Sequence, residues 1–433
     1  MAKKSKTKSR LLLSAVALIV SAVIAWNPIN LQLQLTRAKA ALLIRDTDTA
    51  SEHLANALEI DPESNEVHFF LARTYRRLGD IENVRRHLQF AQELGFDPVR
   101  CRREQTYAMA HIGVVGEGQS QLAQLLASDT NDGMDLCESF ARGFITTKNH
   151  QMADAVIEAW ERDYPTDPLI PLFRGRLHLA RAKSQTQREV AQAALKEFEI
   201  TYTKAPYIAE SWLFMGEALL QLQDYEQAAE HLNRYLSKYP EHPVALTQSG
   251  KLHRKTGDFG SARQQLTQAL ELSPDYNVAS LELGQLELDS GNSEQAIAIL
   301  MPFHETQPWN LDIRHSLATA LQESDQIEMA KVHFAYIKEA RIAMAQVPEL
   351  VKAANADSTN ADAQFVVGEI LMHYHDPAQS LMWFNRTIAI DADHLSENSL
   401  LATYYDSIGN FGFAKQHRDR ITQSQESERT ESE

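Results

Sequence analysis

Small and apolar residues recur with a fixed period of 34 residues between residues 209 and 308 of this 433-residue chain. Self-similarity at this period is typical of paired helices that stack into a solenoid. The pattern therefore predicts an all-α fold, an α-solenoid of stacked helix-turn-helix repeats. Four positions of the period keep one residue type in three successive repeats: Gly216, Gly250 and Gly284; Ala228, Ala262 and Ala296; Leu232, Leu266 and Leu300; Pro240, Pro274 and Pro308.

Each recurring residue has a physical role in a pair of packed helices. Gly216 lets two helix backbones approach closely because glycine has no Cβ, and Ala228 is the small residue of the second helix that faces the first. Pro240 follows the second helix and cannot continue it, so the chain turns there into the next repeat. Turn residues between the helices, such as Gly257 and Asp258, predict helix ends and caps.

The motif continues with altered spacing on both sides of the regular region. We predict a repeat array over residues 31–346 with about nine repeats, of which the third is degenerate, and two further repeats over residues 361–420. Gly175 and Ala194 are too far apart for the period, which predicts an insertion in the fifth repeat. Residues 347–360 are predicted to be an interruption or linker, and the polar residues 421–433 a disordered tail.

The positions of Trp212, Gly216, Ala228, Leu232 and Pro240 resemble the motif of the tetratricopeptide repeat (TPR) family. This resemblance implies a right-handed superhelix in which the first helix of each pair lines a concave groove. It also implies partner-binding residues facing outward from those helices. Carried onto this chain, they are Phe69, Arg73, Arg76, Leu213, Glu217, Leu220, Thr247, Lys251, Arg254, Leu281, Gln285 and Leu288.

The first 29 residues combine a positive flank with an apolar run. Residues 1–10 carry five Lys or Arg residues, and residues 11–26 are apolar apart from two serines. We predict a basic cytoplasmic flank at 1–10 and a signal anchor or transmembrane helix at 11–29, with the repeats outside the cytoplasm, in the periplasm or its equivalent. A cleaved and exported chain and a cytosolic hydrophobic helix are the alternatives. The layout resembles membrane-anchored bacterial TPR proteins.

Charge and cysteine content restrict the classes of partner and compartment. The formal net charge is 42 − 58 = −16, although the N-terminal flank is basic. An acidic array is a poor match for nucleic acid, which requires clustered basic side chains. Cys101 and Cys137 lie in no metal or haem motif, so they are either two independent buried thiols or a pair.

No catalytic constellation is visible in the sequence. The phosphate-binding, nucleophile-elbow and zinc-protease motifs are absent, and the glycines around residue 116 follow no strand. His373, His375 and Asp376 could be considered metal ligands, but residues two apart on a helix point to different faces. We therefore expect no enzyme activity, no cofactor and no metal.

We expect a non-catalytic scaffold or adaptor at the cell envelope that holds a protein partner in its groove. The alternative is a cofactor of an export or secretion machine that captures extended protein or polysaccharide substrates. Membrane attachment through the N-terminal helix is expected, nucleic-acid binding is not, and self-association through the regular repeats is left open.

Overall fold

The computed structural model describes residues 27–114, 122, 124–125, 132–181 and 187–431. Throughout these ranges the regular elements are α-helices, which confirms the all-α class. Two compact units divide the chain, residues Met1–Tyr239 (unit 1) and Pro240–Glu433 (unit 2). In each unit, consecutive helices pack on one another, and the first helices of successive pairs also make contact, as in a solenoid of helix pairs.

The helix bounds follow the predicted pairs closely. In unit 1 the helices are α1 (27–43), α2 (Thr47–Ile60), α3 (Asn65–Leu78), α4 (Ile81–Glu93), α5 (Pro98–His111), α6 (Gly133–Thr146), α7 (His150–Asp163), α8 (Leu169–Arg181), α9 (Gln187–Lys204), α10 (Glu210–Leu222) and α11 (Tyr225–Lys238). In unit 2 they are α12 (Pro243–Thr256), α13 (Phe259–Leu272), α14 (Asn277–Asp289), α15 (Ser293–Thr306), α16 (Leu311–Glu323), α17 (Ile327–Ala356), α18 (Ala361–Tyr374), α19 (Pro377–Ile390), α20 (Leu395–Ser407) and α21 (Phe411–Glu431).

A glycine followed by an aspartate makes the turn between helices in two pairs. Gly257 ends α12 with a φ of 84°, a left-handed conformation that glycine adopts at little cost. The next residue, Asp258, caps α13 by accepting a hydrogen bond from the backbone N–H of Ser261. Gly79 and Asp80 repeat both features between α3 and α4. These residues therefore fix the tight turn inside each pair.

The glycine column brings the two helices of a pair into direct contact. A Cβ added to Gly284 would lie 2.6 Å from Leu300, and one added to Gly216 would lie 2.7 Å from Leu232. In both pairs the contacted leucine is itself a residue of the repeated pattern. The close approach predicted from the period is therefore present in the structure.

The predicted linker at 347–360 is mostly helix instead. Helix α17 runs for 30 residues and contains Pro348, so only residues 357–360 remain as a turn. A proline inside a helix removes one hydrogen bond and crowds the preceding turn. Packing on both sides offsets that cost, because Ala354 is fully buried and Leu350 packs in a cluster with Trp383.

The predicted disordered tail is also helical as far as the structure describes it. Helix α21 continues to Glu431, anchored by the buried Ala414 and His417. Gln, Glu and Arg residues have high intrinsic helix propensity, so a polar composition does not prevent the helix from extending.

Two further predictions concern segments with gaps in the described residues. The predicted second helix of the degenerate third repeat falls largely within residues 115–131, of which the structure describes only 122, 124 and 125. The predicted insertion of the fifth repeat overlaps residues 182–186, which lie outside the described residues. The predicted anchor at 11–29 lies outside the described residues except for 27–29, which begin α1. Among the residues described, no helix is both long and apolar enough to cross a membrane.

Candidate functional site

In each unit, the first helices of successive pairs form a surface that we call the first-helix face of that unit. Six of the twelve predicted partner-binding residues lie on the first helices of unit 1 and six on those of unit 2. Glu217, Lys251, Leu281, Gln285 and Leu288 keep partial exposure there. The expectation that the other seven side chains face outward is wrong, because neighbouring repeats cover them. The buried residues are Phe69, Arg73, Arg76, Leu213, Leu220, Thr247 and Arg254. Partner binding at all twelve positions stays a prediction.

The buried arginines of unit 1 belong to an ion-pair network between repeats. Arg76 is fully buried on α3, where its Nε lies 2.6 Å from Glu104 of α5 and its Nη2 lies 2.6 Å from Asp135 of α6. Arg73 shares both acids, at 3.0 Å from Glu104 and 3.6 Å from Asp135. These pairs join three successive first helices, so the side chains predicted to bind a partner hold the repeats together.

Asp135 is the centre of this network. Besides Arg73 and Arg76, it contacts Arg77 at 2.8 Å and Arg45 at 3.4 Å. Burial alone would raise the pKa of Asp135, but the surrounding arginine charges outweigh burial and hold that pKa well below its usual range. The carboxylate is therefore ionised throughout the physiological pH range.

The turn between α1 and α2 contacts the far end of unit 1. Arg45, in a left-handed conformation with a φ of 68°, lies 3.3 Å from Asp167. Asp48 accepts a hydrogen bond of 2.7 Å from the hydroxyl of Tyr239 and pairs with Lys238 at 2.5 Å. The first and last repeats of unit 1 are therefore joined, and side chains of the unit itself occupy much of its first-helix face.

Unit 2 has a smaller ladder of the same kind. Glu282 of α14 lies 2.9 Å from Lys251 and 2.7 Å from Arg254, both on α12, and Arg254 also lies 2.8 Å from Asp289. Lys251 remains exposed over 38% of its side chain, whereas Arg254 does not. The accessible part of this face therefore combines a cation with the partly exposed Leu288.

The sequence analysis did not identify three polar residues of unit 1, although the positions of two of them repeat a visible pattern. Arg142 and Arg176 directly follow Ala141 and Gly175, as Arg73 follows Ala72 in the second repeat. That column could have identified both arginines. His111 is the last residue of α5 and is buried, and nothing in its sequence context indicated this.

The cysteines and the histidine cluster offer no reactive site in the structure. Cys101 and Cys137 are both free and buried, so they do not pair. Burial raises the pKa of the Cys137 thiol to about 12, which keeps it protonated and unreactive. His373 lies in α18 and His375 follows its end. In the described part of the chain, no group of three or more His, Cys, Asp or Glu side chains is placed to hold a metal ion.

Glu397 of α20 is expected to make the C-terminal repeats sensitive to alkaline pH. The residue is fully buried, and burial raises its pKa to about 8, with the charge of Asp391 acting in the same direction. A raised pKa means that the stability contributed by the neutral carboxyl group is complete below about pH 4.3 and is lost as the pH rises through 8. We expect Glu397→Gln to stabilise this region at pH 8.5 by on the order of 2 kcal/mol and to have little effect at pH 4.

Hydrogen exchange of α20 at pH 4 and 8.5, corrected for intrinsic rates, measures this difference. Glu328→Gln, at an exposed position of α17, is the matched control. An equal effect of Glu397→Gln and the control at pH 8.5 would contradict the assignment.

Three segments of the chain match models of a known repeat family, and one curated relative shares part of the sequence. Residues 35–83, 209–252 and 253–302 each match a model described as tetratricopeptide repeat, which supports that family for this chain. A curated relative, the inactive TPR repeat-containing thioredoxin TTL3 of Arabidopsis thaliana, is 26% identical over 158 residues. That alignment covers 34% of this chain and 23% of the relative, so this chain spans under a quarter of the relative's length.

Solved structures that are similar in fold include two proteins. One is the human IFIT1 dimer with m7Gppp-AAAA, which is 15% identical, with 82% of this chain and 89% of that chain covered and a TM-score of 0.48. The other is TTC0263, a thermophilic TPR protein of Thermus thermophilus, which is 21% identical, with 44% and 99% covered and a TM-score of 0.38.

Proposed function

We propose that this chain, whose three matching segments support the tetratricopeptide repeat family, is a non-catalytic scaffold that binds a protein partner on its first-helix face. The observation that carries the proposal is that the residues that pack the helices differ from those that remain accessible. The repeated Gly, Ala and Leu columns are used in packing the helix pairs. What remains accessible on the first-helix face is a mixture of charged and apolar side chains, such as Lys251 and Leu288, which suits a protein segment.

The scaffold proposal includes the absence of catalysis. Its support is the sequence, which contains no recognisable nucleophile, base or phosphate-binding motif. Turnover of any substrate by the purified protein, abolished by His373→Ala or His375→Ala, would contradict it.

We propose a location at the cell envelope, with residues 11–29 as the anchor and the repeats outside the cytoplasm. The basic flank followed by an apolar run supports this proposal. Fusion of alkaline phosphatase to the C-terminus tests it, because that enzyme matures only outside the cytoplasm. We expect an active fusion that resists carbonate extraction from membranes; an inactive fusion contradicts the orientation, and a soluble active one favours cleavage and export.

Partner capture with surface variants tests the scaffold. Residues on the first-helix face are changed separately in each unit, by Glu217→Arg and Leu288→Arg. Glu226→Arg and Leu272→Arg change exposed residues of the second helices α11 and α13 and serve as controls. After crosslinking in membranes, we expect one stoichiometric partner whose yield falls about tenfold or more in at least one test variant and stays unchanged in the controls.

Two other results would count against a scaffold. Weak capture of many extended proteins or polysaccharides would favour the export cofactor. Equal loss in test and control variants would show that the first-helix face is not the binding surface.

A further inference from the structure

Arg176 lies over two aromatic rings on the first-helix face of unit 1. Its guanidinium carbon lies 5.0 Å from the centroid of Phe173 and 4.8 Å from that of Phe214. The guanidinium of Arg142 lies 5.4 Å from the same Phe173 ring. Contact with two rings limits the movement of the Arg176 side chain, so its N–H groups are held in place before any ligand arrives.

Two nitrogen atoms of the arginines that lie over Phe173 have no hydrogen-bond acceptor among the described residues. They are Nη1 of Arg176 and Nε of Arg142, and both atoms are buried. Buried donors without acceptors are costly, so this cluster is suited to receiving an acceptor from outside.

The charges of the cluster leave one cation without an ion pair. Arg142 pairs with Glu210 at 2.9 Å. Within the described residues, Arg176 forms no ion pair. Burial together with the charge of Arg142 lowers the pKa of Arg176 to about 9, although the charges of Glu210 and Glu217 act in the opposite direction. One additional negative charge would therefore balance the cluster, and Arg176 keeps part of its surface open to solvent.

We propose that Arg176, assisted by Arg142, binds a carboxylate of an acidic side chain in the protein partner. A carboxylate is planar, carries a single charge and accepts two parallel hydrogen bonds from the edge of a guanidinium that lies over aromatic rings. A phosphate dianion would bring more charge than the cluster lacks, next to Glu210 and Glu217. The inference rests on the proposed scaffold function and specifies the chemistry of the segment that is bound.

Binding of a fluorescein-labelled hexaglutamate peptide to the full chain, followed by fluorescence anisotropy, tests the site. Arg176→Gln removes the charge, and Arg174→Gln is the matched control on the same helix, where Arg174 pairs with Glu161 instead. We expect Arg176→Gln to weaken binding about tenfold to a hundredfold and the control to leave it unchanged. Hexaglutamine should not bind.

Thermal unfolding separates a binding residue from a structural one. Because Arg176→Gln removes a cation that has no ion pair, the midpoint of unit 1 should stay the same or rise. A fall of several degrees would make Arg176 structural and overturn the proposal, as would unchanged hexaglutamate binding. Stronger competition by inorganic phosphate than by acetate at equal concentration would overturn the carboxylate assignment.

Capture of the native partner by Arg176→Gln distinguishes a failure of the carboxylate site from a failure of the scaffold function. If the captured partner binds Arg176→Gln as tightly as the unchanged protein, the carboxylate site is wrong and the scaffold stands. If no partner is captured but hexaglutamate binding depends on Arg176, Arg176 is a carboxylate-binding residue and the scaffold function is contradicted.

Discussion

The variant Asp135→Asn is expected to lower the free energy of unfolding of unit 1 by about 3–5 kcal/mol, because it leaves buried arginines without their shared carboxylate. Asp135 contacts Arg45, Arg73, Arg76 and Arg77, and none of these guanidiniums is more than 9% exposed. Removing one charge from such a network costs far more than breaking a surface pair. Urea unfolding followed by hydrogen exchange, resolved for residues 1–239, measures the loss.

Asp154→Asn is the matched control for this prediction. Asp154 pairs with Arg181 at an exposed position of the same unit, and such pairs contribute about 0–1 kcal/mol. Equal effects of the two substitutions would contradict the structural role of the network.

The same network sets an acid limit for unit 1. Because the pKa of Asp135 is lower in the folded state than in the unfolded chain, its contribution is present above about pH 4 and is lost as the pH falls through the folded value. Asp135→Asn should therefore show a shallower loss of stability below pH 4 than the unchanged protein.

The variant Phe198→Ala is expected to lower the free energy of unfolding of unit 1 by about 3–5 kcal/mol. Phe198 is fully buried, and its ring occupies the space that a Cβ on Gly175 would need. The phenylalanine takes the place that leucine has in the regular pairs, and it lies further along the chain because of the insertion in the fifth repeat. Truncating it leaves a cavity between α8 and α9.

A double-mutant cycle tests this pairing directly. Gly175→Ala alone should be destabilising because the added methyl group overlaps the ring, and Phe198→Leu should recover part of that loss. Additive effects of the two substitutions, measured by the same unfolding experiment, would show that the two residues are not packed as described.

The 34-residue period predicted the packing of the helix pairs because that packing is local. Gly284 and Leu300, or Gly216 and Leu232, are separated by a single turn and belong to one pair. The continuous helix α17 could not be read in the same way. A proline usually marks a boundary, and only the cluster around Trp383 shows why Pro348 is tolerated.

The ion-pair network was missed because its partners are distant in the sequence. Arg45 reaches Asp167 over 122 residues, and Arg76 reaches Asp135 over 59. The motif indicated that Arg76 lies on a first helix. Which carboxylates form ion pairs with it depends on how several repeats stack. An arginine at an outward position of one repeat is therefore buried once its neighbours are in place.

Site-specific photo-crosslinking tests the central claim, that the first-helix face holds a protein partner, most directly. A photoreactive amino acid is placed at Leu288 on the first helix α14, or at Leu272 on the second helix α13, where the native side chain is 42% exposed. The account predicts that irradiation of intact cells joins one protein to position 288 and not to position 272. Crosslinks of equal yield at both positions, or at position 272 alone, would contradict it.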